Sequence, residues 1–172
     1  MQRTYKTAQA RSLQSQSMRK MDEAGVAAGA AVQNFPVRFD TKIAVLLRDD
    51  LEPWQRLNVT AFLVSGLGTM SPEVIGEPYE DADGTAYLPM FRQPVLVFQG
   101  TKETLTTAHR RALSRSLPRA VFTSDLFRTG NDRDNRAAVR AVGTDQLDLV
   151  GIAVHGPRNA VDKVLKGARM HP

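Results

Sequence analysis

Two acidic turns hold the residues of this sequence best suited to chemistry. Arg48, Asp49 and Asp50 follow the apolar run Ile43 to Leu47, and Asp125, Arg128 and Thr129 follow Arg119-Ala-Val-Phe122. Carboxylates held close to one another can separate in pKa and divide general-acid from general-base work. On this reading Asp125 and Asp50 are the candidate catalytic acids, and Thr129 donates a hydrogen bond. Arg128 orients an anionic or carbonyl group, with Arg48 as a further binding candidate. The competing reading is local. An aspartate just past a strand commonly caps the following turn or helix, and Asp49 beside Arg48 forms a solvated pair.

Other reactive types are scattered. Asn58 and Ser65 lie seven residues apart, two helical turns, and can share a face as neutral hydrogen-bonding groups. Ser65 has no histidine base at a recognisable spacing, so close helix–sheet packing competes with nucleophilic use. His109 sits on the apolar side of a predicted helix, as a satisfied core histidine. His155 precedes Gly156-Pro157 at the end of a strand, and His171 falls at a terminus expected to fray. No compact carboxylate or histidine motif suggests a metal, and none is expected. Gly66-Leu-Gly68 follows a helix rather than a strand and is no dinucleotide fingerprint, so no cofactor is expected either.

The elements that must position these residues alternate. Thr41 to Arg48 reads as a strand buried on both faces. Pro53 suits a helix start, and Trp54, Leu57, Ala61 and Val64 form the stripe expected to pack on the sheet, ending at Gly66 and Gly68. Met70 to Arg92 holds prolines and the turn signal Asp83-Gly84, which predicts a hairpin excursion covering an edge. Pro94 to Phe98 is a second strand. A second helix capped by Thr101 follows, with Leu105, Ala108, Ala112 and Leu113 inward, and then a third strand over Arg119 to Phe122. A polar loop from Asp125 to Asp132 leads to a short helix with Ala138, Val139 and Val142 inward. Leu147 to Val154 is the last strand, and Gly156-Pro157 opens a final helix reaching Ala168. Strands alternating with helices predict an α/β layered sheet with helices on both faces.

At 172 residues and 42% hydrophobic content, the chain fits one domain plus an appendage. The net charge of +5 is not spread evenly. The first twenty residues hold Arg3, Lys6, Arg11, Arg19 and Lys20 and no acid; removing those five from 23 basic residues leaves 18, equal to the 18 acids. The basic excess therefore belongs to the first twenty residues, and residues 21–172 are formally neutral; residues 1–35 are read as a disordered N-terminal extension, with 36–172 as the folded domain. The same composition suits an organellar transit peptide, while Met18 and Met21 offer later starts. A balanced domain with 6% aromatics gives no sign of a DNA partner or a stacking platform for single strands. No apolar run is long enough for a membrane span. With no cysteine, disulfides, thiolate metal sites and cysteine nucleophiles are excluded, and the expected location is the cytoplasm.

Three stretches resemble the peptidyl-tRNA hydrolase type II fold: Lys42 to Leu51, the Asp-x-x-Arg-Thr pattern Asp125 to Thr129, and Leu149 to Val154 followed by Gly156-Pro157 and Ala160 to Gly167. Arg48 to Asn58, Arg92-Gln-Pro94 and Thr129-Gly-Asn-Asp132 resemble more closely its relative, the family catalogued as domain of unknown function two thousand, over about residues 38 to 172. The resemblance implies a three-layer sandwich around a four-stranded mixed sheet whose last strand runs antiparallel. That reversal puts His155 on the edge opposite Asp125. It also implies a homodimer, and a hydrolase-type cleft in which Asp125, Thr129 and Arg128 match the family's acidic, hydroxyl and arginine residues. Arg92 and Asn131 join the binding candidates through the same motifs. The hydrolases' helix-one lysine falls here on Leu57 or Asn58, and their histidine on Val64 or Ser65. The implied activity is hydrolysis of an ester- or amide-linked substrate, an aminoacyl-tRNA or a small acyl compound. The alternative is a non-catalytic small-ligand-binding module on the same cleft.

Overall fold

The computed structural model describes residues 38–172; the extension expected over 1–35 lies outside the described residues. Strand β1 (Thr41–Arg48) leads into helix α1 (Pro53–Met70), and the two-residue strands β2 (Tyr79–Glu80) and β3 (Ala86–Tyr87) follow. Next come β4 (Val95–Gly100), α2 (Lys102–Ser114), β5 (Arg119–Thr123) and α3 (Asp132–Arg140). The chain closes with β6 (Leu149–Pro157), α4 (Arg158–Val164) and β7 (Arg169–Met170). No described helix is long and apolar enough to cross a membrane.

The main sheet runs in the order β5-β6-β1-β4-β7. Strand β4 is parallel to β1, while β6 is antiparallel to both β1 and β5. The reversed strand is as expected, but the count is five rather than four. The residues after α4 return as β7, pairing Met170 and Arg169 with Phe98 and Gln99. Two residues carry no alternation for a sequence reading to detect.

Alternation along β1 splits the core in two. Ile43, Val45 and Leu47 join Val59, Leu63 and Leu67 of α1 on one face. Ala44 and Leu46 join Leu105, Ala108 and Ala112 of α2 and Val161 and Val164 of α4 on the other. Helices therefore cover both faces, as the alternating pattern predicts. His109 is 6% exposed on α2; burial, reinforced by the Arg119 charge and opposed by Asp145, lowers its pKa.

Four expectations need correction. The inward stripe of α1 is Val59, Leu63 and Leu67, whereas Trp54 and Leu57 are 61% and 75% exposed. Both sets have helical spacing, because α1 is apolar on two sides. Packing decides between them, since Val59 and Leu63 seat directly over Gly151 of β6, where an added Cβ would stand 2.5 Å from Val59 Cγ1. The hairpin forms at Gly84, with φ +82°, but its strands pair only with each other and stay exposed rather than covering an edge. Helix α4 stops at Val164 instead of reaching Ala168. His171 is not frayed: its backbone N–H donates to the Val97 carbonyl at 3.0 Å.

These contacts give a paired prediction. Gly151→Ala wedges a methyl between α1 and the sheet and lowers stability by about 1–3 kcal/mol, whereas Leu57→Gln changes it by under about 0.5 kcal/mol. Urea denaturation of both variants checks the assignment of the buried face; equal effects would reject it.

Candidate functional site

The carboxyl ends of β1, β4 and β5 share one rim with the start of β6. There the two acidic turns are linked by a third acid, Asp148. Its Oδ1 lies 3.0 Å from Arg48 Nη1 and 2.7 Å from Lys102 Nζ. Its carbonyl accepts from the Ser124 backbone N–H at 2.9 Å. Burial raises the Asp148 pKa, but hydrogen bonds from Lys102 and Ser124 and the charges of Arg48 and Lys102 outweigh it and hold the carboxyl below the ordinary range. Asp50 is drawn into the same cluster, 2.7 Å from Arg48 Nε.

Arg56, also passed over in the sequence reading, ties the β1–α1 turn together. Its Nη2 donates to the Asp49 carbonyl at 2.7 Å and its Nε to the Leu51 carbonyl at 2.8 Å. Nη1 reaches Gln99 Oε1 at 3.1 Å and His171 Nε2 at 3.0 Å. This clamp sets where α1 begins and therefore where its exposed face points.

That face walls a cleft of about 400 Å³ between α1 and the segment from Phe122 to Asn135. Trp54, Asn58 and Phe62, at i, i+4 and i+8, supply one wall; Phe127, Thr129, Asn131 and Asn135 supply much of the other. An aromatic chain forms its base. Trp54 meets Phe127 edge-on at 5.9 Å, Phe127 tilts against Phe122 at 5.2 Å, and Phe122 meets Phe62 edge-on at 5.7 Å.

The structure brings only some of the candidates named from sequence together. Asn58, Thr129 and Asn131 meet in the cleft. Thr129 Oγ1 donates to the Leu126 carbonyl at 3.0 Å and pairs with the Asn135 side chain. Asn131 is the N-cap of α3, its Oδ1 accepting from Asp134 N–H at 3.0 Å. Asp125 and Arg128 belong to the 3-10 turn Ser124–Arg128, adjoining the cleft in sequence without lining it. Arg48 and Asp50 sit in the charged cluster around Asp148. Ser65 is exposed, its hydroxyl donating to the Phe62 carbonyl at 2.7 Å. Arg92 lies before β4, on the opposite rim; His155 pairs there with Ile43, the edge expected for it. Trp54 and Asp148 were missed. The spacing Trp54, Asn58, Phe62 is a readable signal, one polar residue between two aromatics on a single helical face. Asp148 carries the signal of a charge abutting a wholly buried strand.

A family model described as "Protein of unknown function (DUF2000)" matches residues 41–172. A solved structure, that of the protein of unknown function Atu0240 from Agrobacterium tumefaciens strain C58, is 44% identical with a TM-score of 0.76. The match covers 78% of this chain and 100% of that one. No curated protein matches the chain.

The Asp148 cluster makes a prediction about acid. A carboxylate with a depressed folded pKa contributes stability above its unfolded value, about 3.9, and loses it as pH falls through the folded value. Asp148 is 35% exposed, so solvent screening trims its ion pairs and Asp148→Asn is expected to cost on the order of 1 kcal/mol near neutrality. In urea titrations the gap from the parent chain closes well below about pH 4; a gap that persisted there would assign the loss to packing.

Proposed function

The chain belongs to the DUF2000 family, and from that premise we propose that the α1–α3 cleft binds a small ligand carrying a flat apolar group and a hydrogen-bonding edge. The observation that carries this reading is the exposure of Trp54 and Phe62, 61% and 52%, on one wall of a cleft whose base is already aromatic. Large aromatic surface left open to water within a concavity is the usual form of a small-molecule site, since a stacked ligand removes that surface from solvent. Asn58 supplies donor and acceptor groups on the same wall, and Asn135 on the facing one. Thr129 and Asn131 shape the cleft while their hydroxyl and carbonyl groups serve the turn and the α3 cap.

One observation favours the hydrolytic alternative. Among the described residues Asp125 has no side-chain hydrogen bond or ion pair, and it stands one residue before the cleft-lining Leu126. In that reading Asp125 activates water against an aminoacyl or smaller acyl ester, with Arg128 and Thr129 beside it. The reversed strand β6 between β1 and β5 also supports the finer assignment to a peptidyl-tRNA hydrolase type II-like fold.

Trp54 is the one tryptophan of the sequence, so its fluorescence reports directly on the cleft. N-acetyl-phenylalanine amide is expected to quench it saturably, and N-acetyl-alanine amide much less. Asn58→Ala weakens the first by a few-fold, the loss of one hydrogen bond of about 0.5–1.5 kcal/mol. Quenching that never saturates would discard the site. Separately, peptidyl- and aminoacyl-tRNA are expected to survive incubation with the chain; cleavage abolished by Asp125→Asn would establish hydrolysis instead.

A further inference from the structure

Below the C-terminal end of α1, the sheet face that buries Ile43 and Val95 changes to polar residues. Gln93 and His155 are only 7% and 5% exposed there. Thr41 Oγ1 donates to Gln93 Oε1 at 3.0 Å, but the buried Gln93 Nε2 has no partner among the described residues. The 3-10 turn Pro72–Val74 folds over this layer and places Glu73 Oε1 3.5 Å from His155 Nδ1. A cavity of about 240 Å³ opens beside the turn, with Asp40, Thr41, Glu73, Arg92 and Gln93 among its walls.

Each feature narrows the occupant. A buried amide N–H calls for an acceptor oxygen, and Arg92, which has no ion pair among the described residues, adds a cation on the same side of the charge balance. Asp40 and Glu73 call for a donor bearing positive charge. A lone oxyanion would face two carboxylates, and a lone cation would leave the Gln93 amide and Arg92 unmatched. The space is several times the roughly 30 Å³ that one water occupies in the liquid, yet smaller than the pockets that enclose drug-sized molecules. Phe39 and Val74 give it an apolar side.

We infer that this cavity is a second site, separate from the aromatic cleft, and that it takes a small zwitterion of the α-amino-acid class with an aliphatic side chain. The carboxylate lies toward Arg92, with Gln93 Nε2 reaching it as the Gln93 amide turns into the cavity, the ammonium toward Glu73 and Asp40, and the side chain against Phe39 and Val74. Arg92, singled out by its motif and absent from the cleft, gains a role here.

Calorimetric titration of the full chain with L-valine tests this, with isobutylamine and isovalerate as the same skeleton lacking one charge each. Valine is expected to bind one to one, and each single-charge analogue at least tenfold more weakly. Arg92→Gln and Glu73→Gln each weaken valine at least tenfold while the melting temperature of the free protein holds, because both side chains are exposed at the mouth. Valine also shifts the His155 imidazole resonances, identified by their loss in His155→Gln. Isobutylamine or isovalerate binding as tightly as valine would overturn the assignment. So would affinity unchanged in both variants, or no saturable heat from any of the three compounds.

Discussion

Strand β6 is buried on both faces and runs against both of its neighbours, and the placement of the polar groups at its two ends follows from that reversal. Because it enters the sheet where β1 and β5 leave, Asp148 arrives between the two acidic turns and pairs with both Arg48 and Lys102. Because it exits where β1 begins, His155 is delivered to the far rim, under Glu73. A parallel strand at this position would interchange the two. With no side open to water, β6 also has no room for a shifted register, since a one-residue slip would turn each of its side chains to the opposite layer.

Helix α1 shows how one element can serve a core and a surface together. Val59, Leu63 and Leu67 are consumed by the sheet, and Gly151 lets the helix sit close enough for that. The opposite side retains Trp54, Leu57 and Phe62, more apolar surface than folding requires. Arg56, in line with the buried stripe at the first turn of the helix, anchors that face by binding four groups from three other parts of the chain. The exposed wall of the cleft is thus a by-product of how the core is packed.

Much of this was legible beforehand, and for identifiable reasons. The continuous apolar runs at Ile43–Leu47 and Leu149–Val154 identify central strands, and Asp83-Gly84 identifies a turn, because each demand is local. The mixed direction of the sheet came from motif order rather than periodicity, which is blind to strand polarity. The buried side of α1 was misread because two apolar stripes compete and only the facing glycine, 92 residues after Val59, selects between them. Arg56 and Asp148 escaped notice for a related reason. Their roles depend on partners remote in the chain, Gln99 and His171 for Arg56 and Arg48 and Lys102 for Asp148, and the only local sign is the charge of Asp148 set against a buried strand.

The return of the chain as β7 also bears on self-association. Strand β4 lies next to the sheet's margin, and such a margin exposes amides and carbonyls that any extended peptide can extend. Arg169 and Met170 occupy that position against Gln99 and Phe98, and His171 takes the Val97 carbonyl. With Arg56 fastening the same histidine from α1, the last residues form a selvedge over the margin beside β4, while β5 stands as the sheet's other edge.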